Sequence, residues 1–324
     1  MTATRTHAAV LSAPRAQAAI ETIHLGEPGP GEVLLRMEAC GICHSDVFVT
    51  TLERLPLAPV TLGHEGIGRV EAVGAGVDGW SRGDRAGVTF LGTTCGACEW
   101  CRSGRERFCP KQTNFGYTLQ GALCDYAIAP AAALARVPDS LPAEVAAPLC
   151  CAGWTAYRAL TEAGLEAGQS VALYGYGGLG HIALQMAKHR RLGVSVSDPV
   201  ETKRQQARED GAEIDARGVD AAIVFTAAAA AIPQAFRALK RGGTLVLVGL
   251  SVTNYELPLV DTVLKGVTVK GSYLGSREDL AAVFGLAEEG VVRPHVHTHG
   301  LAEAPTLLDR LRRGELPGRA VVKW

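Results

Sequence analysis

The chain has 324 residues, 47% of them hydrophobic and 20% charged, with 32 Lys and Arg against 33 Asp and Glu. That length predicts about two domains, and the near-zero charge balance leaves no electrostatic footprint for nucleic acid or an anionic membrane. The N-terminal "MTATRTHAAVLSAP" lacks the apolar stretch of a secretory signal; the longest apolar run, "AAIVFTAAAAAI" (221–232), falls short of the roughly 18 residues of a bilayer span, so a cytoplasmic protein with no membrane partner is expected.

Residues 1–150 set short runs such as "VLLRMEA" and "GIGRVEAVG" between turns rich in Gly and Pro, "GEPGPGE" and "GAGVDGWSRGD", which predicts a mostly β domain. Within it lie "CGICHSD" (40–46) and "GHEG" (63–66), and at its end "PLCCAGWT" (148–155). Singly, each has an ordinary reading: Cys40 and Cys43 as a redox pair, His64 as a loop histidine, Cys150 and Cys151 as small core residues. In combination, two thiolates and one imidazole suit a Cys2His zinc site, which leaves a fourth position for water or substrate.

Residues 95–109 read "CGACEWCRSGRERFC", four cysteines with two, two and seven residues between them. In a reducing compartment structural disulfides are not expected, and the total of nine cysteines, an odd number, also suits pairing poorly. Cys95, Cys98, Cys101 and Cys109 can supply all four corners of a tetrahedral Zn–S4 site, with Gly96, Ser103 and Gly104 allowing the backbone to curl. Such a site has no open position. The lobe at 92–112 is read as a structural staple.

From about residue 165 the texture changes to strands alternating with helices: "SVALYG", "GLGHIALQMAKHR", "VSVSD", "ETKRQQARED", "AAIVFT", "IPQAFRALK", "TLVLVG" and "VTVKGS". This predicts an α/β, doubly wound parallel sheet. Leu179, Ile182, Ala183, Met186 and Ala187 form one apolar helical stripe, and "SRED" (276–279) reads as a capping box. "YGYGGLG" (174–180) places Gly175, Gly177 and Gly180 as G-x-G-x-x-G between strand and helix, with the amides around Gly178 and Leu179 facing a pyrophosphate. Asp198, about 20 residues on, stands where an acid binds the adenosine ribose. Its charge favours NAD over NADP, a preference that Arg204 softens slightly. Between this helix-strand-helix run and "AAIVFT" lies only "GAEIDARGV" (211–219), too short for a strand with its crossover helix. The sheet has therefore either lost an edge strand or keeps a vestige at "AEID". The last segment, "LLDRLRRGELPGRAVVKW", predicts helix, turn and strand.

"GICHSD", "GHEGIGRVEAVG", the four-cysteine lobe, "CAGWTAY", "YGYGGLGHIALQMAK" and "RALKRGGTLVLVG" together resemble a zinc-dependent alcohol dehydrogenase of the medium-chain dehydrogenase/reductase family, over essentially the whole chain and in order. The resemblance implies a GroES-like catalytic domain over 1–150, a Rossmann NAD-binding domain over 151–288, a return to the catalytic domain over 289–324 and a cleft between the domains. It implies two zinc ions per chain, NAD as cofactor, a small alcohol or carbonyl substrate and a homodimer or homotetramer. It also decides between the adjacent cysteines, because the family's ligand directly precedes the "AG-x-T" turn. Cys43, His64 and Cys151 are then the catalytic zinc ligands.

By the same resemblance Glu65 is a carboxylate neighbour of that metal, Asp46 orients His64, and Ser45 receives the alcohol proton. His44 and Arg319 contact the cofactor pyrophosphate, Thr155 packs near the nicotinamide, and Lys203 joins Asp198 at the ribose. Phe48, Phe90 and Trp154 are expected as pocket walls. One position departs from the pattern: many relatives carry a proton-relaying histidine where this chain has Phe48. The expected reaction is reversible hydride transfer between an alcohol and NAD. The alternatives are a polyol, amino-alcohol or aldehyde oxidoreductase on the same scaffold, and a non-catalytic cofactor-binding relative.

Overall fold

The computed structural model describes residues 4–251 and 254–324, and the chain divides into two units, Met1–Cys151 with His295–Trp324, and Ala152–Pro294. In the first, β1 (Thr4–Leu11) pairs antiparallel with β2 (Ala19–Leu25). The ten-residue β3 (Glu32–Gly41) runs through the middle of a larger sheet. Its Val33, Leu35 and Met37 repeat at the strand period of two and enter a core with Val10, Leu11, Leu62 and Leu123. Directly after β3 the chain turns into the short helix α1 (His44–Thr51). β4 (Val60–Thr61) joins β1, and β5 (Gly66–Val73) and β6 (Arg85–Val88) continue the larger sheet from β3. The cysteine lobe holds the helical turn α2 (Glu99–Arg102) and a 3-10 turn at Glu106–Phe108. β7 (Tyr126–Pro130) then pairs with β3, and β8 (Ala135–Arg136) with β6.

Pro148, which has no N–H to donate, ends α3 (Ala143–Pro148). The chain passes through a π-helical turn, Leu149–Gly153, into α4 (Trp154–Ala163). The second unit then alternates as its pattern predicts: β9 (Ser170–Tyr174), α5 (Gly180–His189), β10 (Gly193–Ser197), α6 (Glu201–Glu209) and β11 (Glu213–Ile214). β12 (Val219–Val224), α7 (Ala231–Ala238), β13 (Leu239–Leu247), α8 (Leu259–Lys265), β14 (Thr268–Gly271) and α9 (Arg277–Glu288) complete it. All pairings are parallel, in the order β11-β10-β9-β12-β13-β14, the doubly wound order in which ligands bind where the strand sequence reverses.

Of the two readings left open for the short segment after α6, the vestige is the one observed. β11 pairs with β10 through Glu213 and Ile214, and residues 215–218 lead straight on to β12 with no crossover helix. Ala216 in that link packs against the core of Ala172, Tyr174 and Ala222, so the link itself covers sheet where a helix would otherwise lie. The stripe on α5 is buried at Ile182, Ala183, Met186 and Ala187, whereas Leu179 is the half-buried N-cap of the helix. The Ser276–Asp279 capping box is present, with side chain and backbone bonded reciprocally at 3.1 and 2.8 Å.

The chain returns to the first unit as β15 (Val296–His299), α10 (Ala304–Arg312) and β16 (Arg319–Lys323). β16 lies antiparallel to β3 and parallel to β15, giving the order β15-β16-β3-β5-β6-β8. Among the described residues no helix is long and apolar enough to cross a membrane.

Candidate functional site

The end of β3, the start of α1 and the "GHEG" turn converge on one buried carboxylate. Asp46, third residue of α1, accepts the N–H of Cys43 at 2.9 Å through Oδ2. Through Oδ1 it accepts the N–H of Gly63 at 3.1 Å and faces His64 Nδ1 at 3.0 Å. Bonding to a carboxylate assigns the imidazole proton to Nδ1 and leaves the lone pair on Nε2. That Nε2 atom is buried and has no protein partner. An unsatisfied buried acceptor costs roughly 1–3 kcal/mol unless something fills the position it faces.

What it faces is a ligand set. Cys43 Sγ lies 3.9 Å from Cys151 Sγ, and the donor atoms of Cys43, His64, Glu65 and Cys151 all lie within 4.8 Å of one another. Sulfurs bound tetrahedrally to zinc at about 2.3 Å stand about 3.8 Å apart. The residues fit the metal. Cys151 donates to Cys43 and, with His64 and Arg319 nearby, holds the Cys43 thiol well below its usual range despite burial. The Cys151 thiol is correspondingly raised.

Glu65 is wholly buried and bonded to Arg319 through Oε1, while Oε2 has no partner. Burial raises its carboxyl to about 7, against the opposing pull of Arg319. Sequence reasoning missed the residue that makes room for it. A Cβ on Gly41 would fall 2.0 Å from Glu65 Oε2, so the last residue of β3 has to lack a side chain. The remaining cysteines nearby, Cys40, Cys124 and Cys150, are at most 2% exposed and serve as core. Ser45 Oγ lies 3.8 Å from Cys43 Sγ. The Phe90 ring meets His64 edge-on with centroids 5.2 Å apart. Phe48 is 39% exposed on α1, and His44 is exposed at its first residue. Trp154 is no pocket wall: its indole is buried within the second unit and donates to Ser276 O at 2.6 Å.

In the lobe, the sulfurs of Cys95, Cys98, Cys101 and Cys109 also lie within 4.8 Å of one another. Cys101 is 3.9 Å from Cys95 and 3.5 Å from Cys98, again the spacing of a tetrahedral sulfur site. The N–H groups of Ala97 and Cys98 pull the exposed Cys95 thiol down to about 6. Trp100 and Phe108 pack edge to face beside the cluster, with Arg105 over the indole.

The second unit holds the glycine loop. Gly175 takes φ +99°, closed to most side chains, and a Cβ on Gly180 would fall 2.1 Å from Gly175 O. Nothing lies within 4 Å of where a Cβ on Gly177 would stand, leaving that side of its backbone open to approach. Gly178 and Leu179 lead into α5. Asp198, one residue beyond β10 and 7% exposed, accepts the N–H groups of Tyr176 at 2.8 Å and Val200 at 2.9 Å. It is thereby fastened to the loop. Arg204 is tied to Glu201 and to the carbonyl of Asp198, and Lys203 sits half-buried on α6. Thr155 is buried in the first turn of α4. A cavity of about 400 Å³, lined by Val224, Thr226, Leu247 and Gly249 among others, opens at the carboxyl ends of β12 and β13.

Comparison with known proteins agrees with this geometry. The alcohol dehydrogenase GroES-like domain family matches residues 29–139, and the zinc-binding dehydrogenase family residues 212–289. An alcohol dehydrogenase of Geobacillus stearothermophilus is 42% identical over 313 residues, covering 90% of this chain and 91% of its own. Among solved structures, the alcohol dehydrogenase of the archaeon Aeropyrum pernix superposes with a TM-score of 0.90 at 31% identity, over 98% of this chain and 100% of that one. An acetophenone reductase from Geotrichum candidum in complex with NAD gives 0.89 at 29% identity, over 100% and 98%.

Proposed function

The chain belongs to the zinc-binding alcohol dehydrogenases, oxidoreductases that interconvert an alcohol and its aldehyde or ketone with a nicotinamide cofactor, and from that membership we propose that it works with NAD and holds two zinc ions. The observation that carries the reading is the buried trio Cys43, His64 and Cys151, with His64 Nε2 unpartnered and its ring fixed by Asp46. Zinc bound there supplies a Lewis acid for the alcohol or carbonyl oxygen, and the nicotinamide supplies the hydride acceptor or donor.

The protein's own part is position, proton handling and exclusion of water. Asp46 sets the direction of His64 and the backbone of Cys43 at once. Arg319 neutralises Glu65, which keeps that carboxylate from standing as an uncompensated charge beside the ligands. Ser45, with both donor and acceptor capacity, receives the hydroxyl proton of the alcohol. Phe48 offers no titratable group to pass it on, so the proton leaves either directly to water or through another base. Cys95, Cys98, Cys101 and Cys109 hold the structural ion.

For the cofactor, Asp198 and Lys203 address the adenosine ribose, the loop from Gly175 to Gly180 with His44 and Arg319 the pyrophosphate, and Thr155 the nicotinamide. Asp198 would repel a 2′-phosphate, and Arg204 is occupied by Glu201, which strengthens the preference for NAD. A homo-oligomer is supported by α8, where Leu259, Val260, Val263 and Leu264 are 66–72% exposed. Beside it β14 ends its sheet with one paired edge. Such apolar surface is uncommon on a monomer. All nine cysteines are free, which suits a reducing, cytoplasmic setting.

Metal analysis tests the assignment of the two ion sites. Two zinc ions per chain are expected; Cys98→Ser should lose one together with stability, and Cys43→Ser the other with the fold kept. A fully active preparation without zinc overturns the reading.

A further inference from the structure

β15 reads "VHTH" and follows directly on His295, so imidazoles stand at positions 295, 297 and 299. Side chains alternate along a strand, which places His297 and His299 on one face with Cα atoms roughly 7 Å apart. Register identifies their neighbours on that face: His297 lies beside Ala320 and His299 beside Val322 of β16. Neither brings a competing charge. Among the described residues β15 ends its sheet, with β16 on one side only.

The second observation concerns orientation. His299 Nδ1 lies 3.2 Å from Glu303 Oε2, and Glu303 also accepts the N–H of Gly300 at 3.0 Å. The Gly300 N–H and His299 together hold the Glu303 carboxyl below its usual range, so it is an acceptor at neutral pH. A histidine that gives Nδ1–H to a carboxylate turns a basic Nε2 outward, the arrangement that orients imidazoles toward metals. His297, the next imidazole along, is exposed. Imidazole donors suit borderline divalent ions such as zinc, nickel and copper, whereas calcium and magnesium favour oxygen cages.

We propose that His297 and His299 form a peripheral site for a borderline transition-metal ion, with Glu303 as the positioning residue behind His299. It shares no residue with the ligand sets of Cys43 and Cys95 and stands independently of the catalytic reading.

The test is a Zn²⁺ titration of the holoenzyme by calorimetry, after metal analysis has established its resident zinc content. The native protein should take up one further equivalent. The double substitution His297→Ala, His299→Ala should bind that equivalent at least tenfold more weakly, with turnover unchanged. Glu303→Gln should weaken it by about 10–100-fold, the usual effect of removing a carboxylate behind a ligating histidine. No further equivalent in the native protein, or equal uptake by native and doubly substituted protein, overturns the site. Unchanged affinity in Glu303→Gln removes Glu303 from it.

Discussion

Asp46 Oδ1 lies 3.0 Å from His64 Nδ1, and each of the two side chains is 1% exposed. The same carboxylate receives the N–H of Cys43, so a single group fixes two of the three proposed zinc ligands. Asp46→Asn sets an amide N–H₂ against those donors. Zinc affinity at the catalytic site should fall by about 10–100-fold, read by competition with a chelator, while the zinc of the lobe is retained. Unchanged affinity would show that His64 needs no such orientation.

Gly41→Ala forces a methyl group against Glu65, which Arg319 holds in place. Overpacking of this kind costs about 1–3 kcal/mol, and urea unfolding should show a loss in that range with reduced turnover. Gly26→Ala is the control, since nothing lies within 4 Å of a Cβ there. Equal stability of the two variants would mean that Glu65 has freedom the geometry denies it.

The contrast between these two positions marks how far the sequence could be read. Cys43 and Asp46 share one helical turn and His64 adjoins Glu65, so short segments carried the proposed ligands and their support. Gly41 could not be recognised, because its neighbour Glu65 reaches it only after β3 and β5 have paired. Chain length alone disclosed the missing crossover before β12, since nine residues cannot hold a strand and a helix. Trp154 was misplaced for the opposite reason: an aromatic three residues from a proposed ligand cysteine says nothing of which way its ring turns. Arg204 looked available to a phosphate until α6 brought Glu201 alongside it. The apolar face of α8 went unremarked because Leu and Val spaced along a helix ordinarily mark a buried stripe.

Asp198→Ser should raise the KM for NAD⁺ and narrow the gap to NADP⁺. It removes the carboxylate that opposes a 2′-phosphate and also the acceptor of the Tyr176 and Val200 amides. Steady-state kinetics with both cofactors decides. A native enzyme already preferring NADP⁺ would contradict the role given to Asp198.

Acid stability should depend on Asp220. Burial would raise its pKa, but Lys240 and the Ser170 amide and hydroxyl outweigh it and hold the carboxyl down at about 2. Because the folded value lies below the unfolded one of about 3.9, the contribution is complete above pH 4 and is lost as the pH falls towards 2. Asp220→Asn should therefore destabilise the protein at neutral pH and flatten the pH dependence in that window. Thermal unfolding across pH 2–6 checks it; parallel curves for the two proteins would refute the pairing.

Alcohol oxidation should depend on a zinc ion held by Cys43, His64 and Cys151. The most direct test follows NADH absorbance on mixing NAD⁺ with a panel of primary and secondary alcohols, using native protein, protein stripped of metal by a chelator, and stripped protein given zinc again. NADH should form with at least one alcohol, be lost on stripping and be restored by zinc. NADH formation at an unchanged rate by zinc-free protein would contradict it.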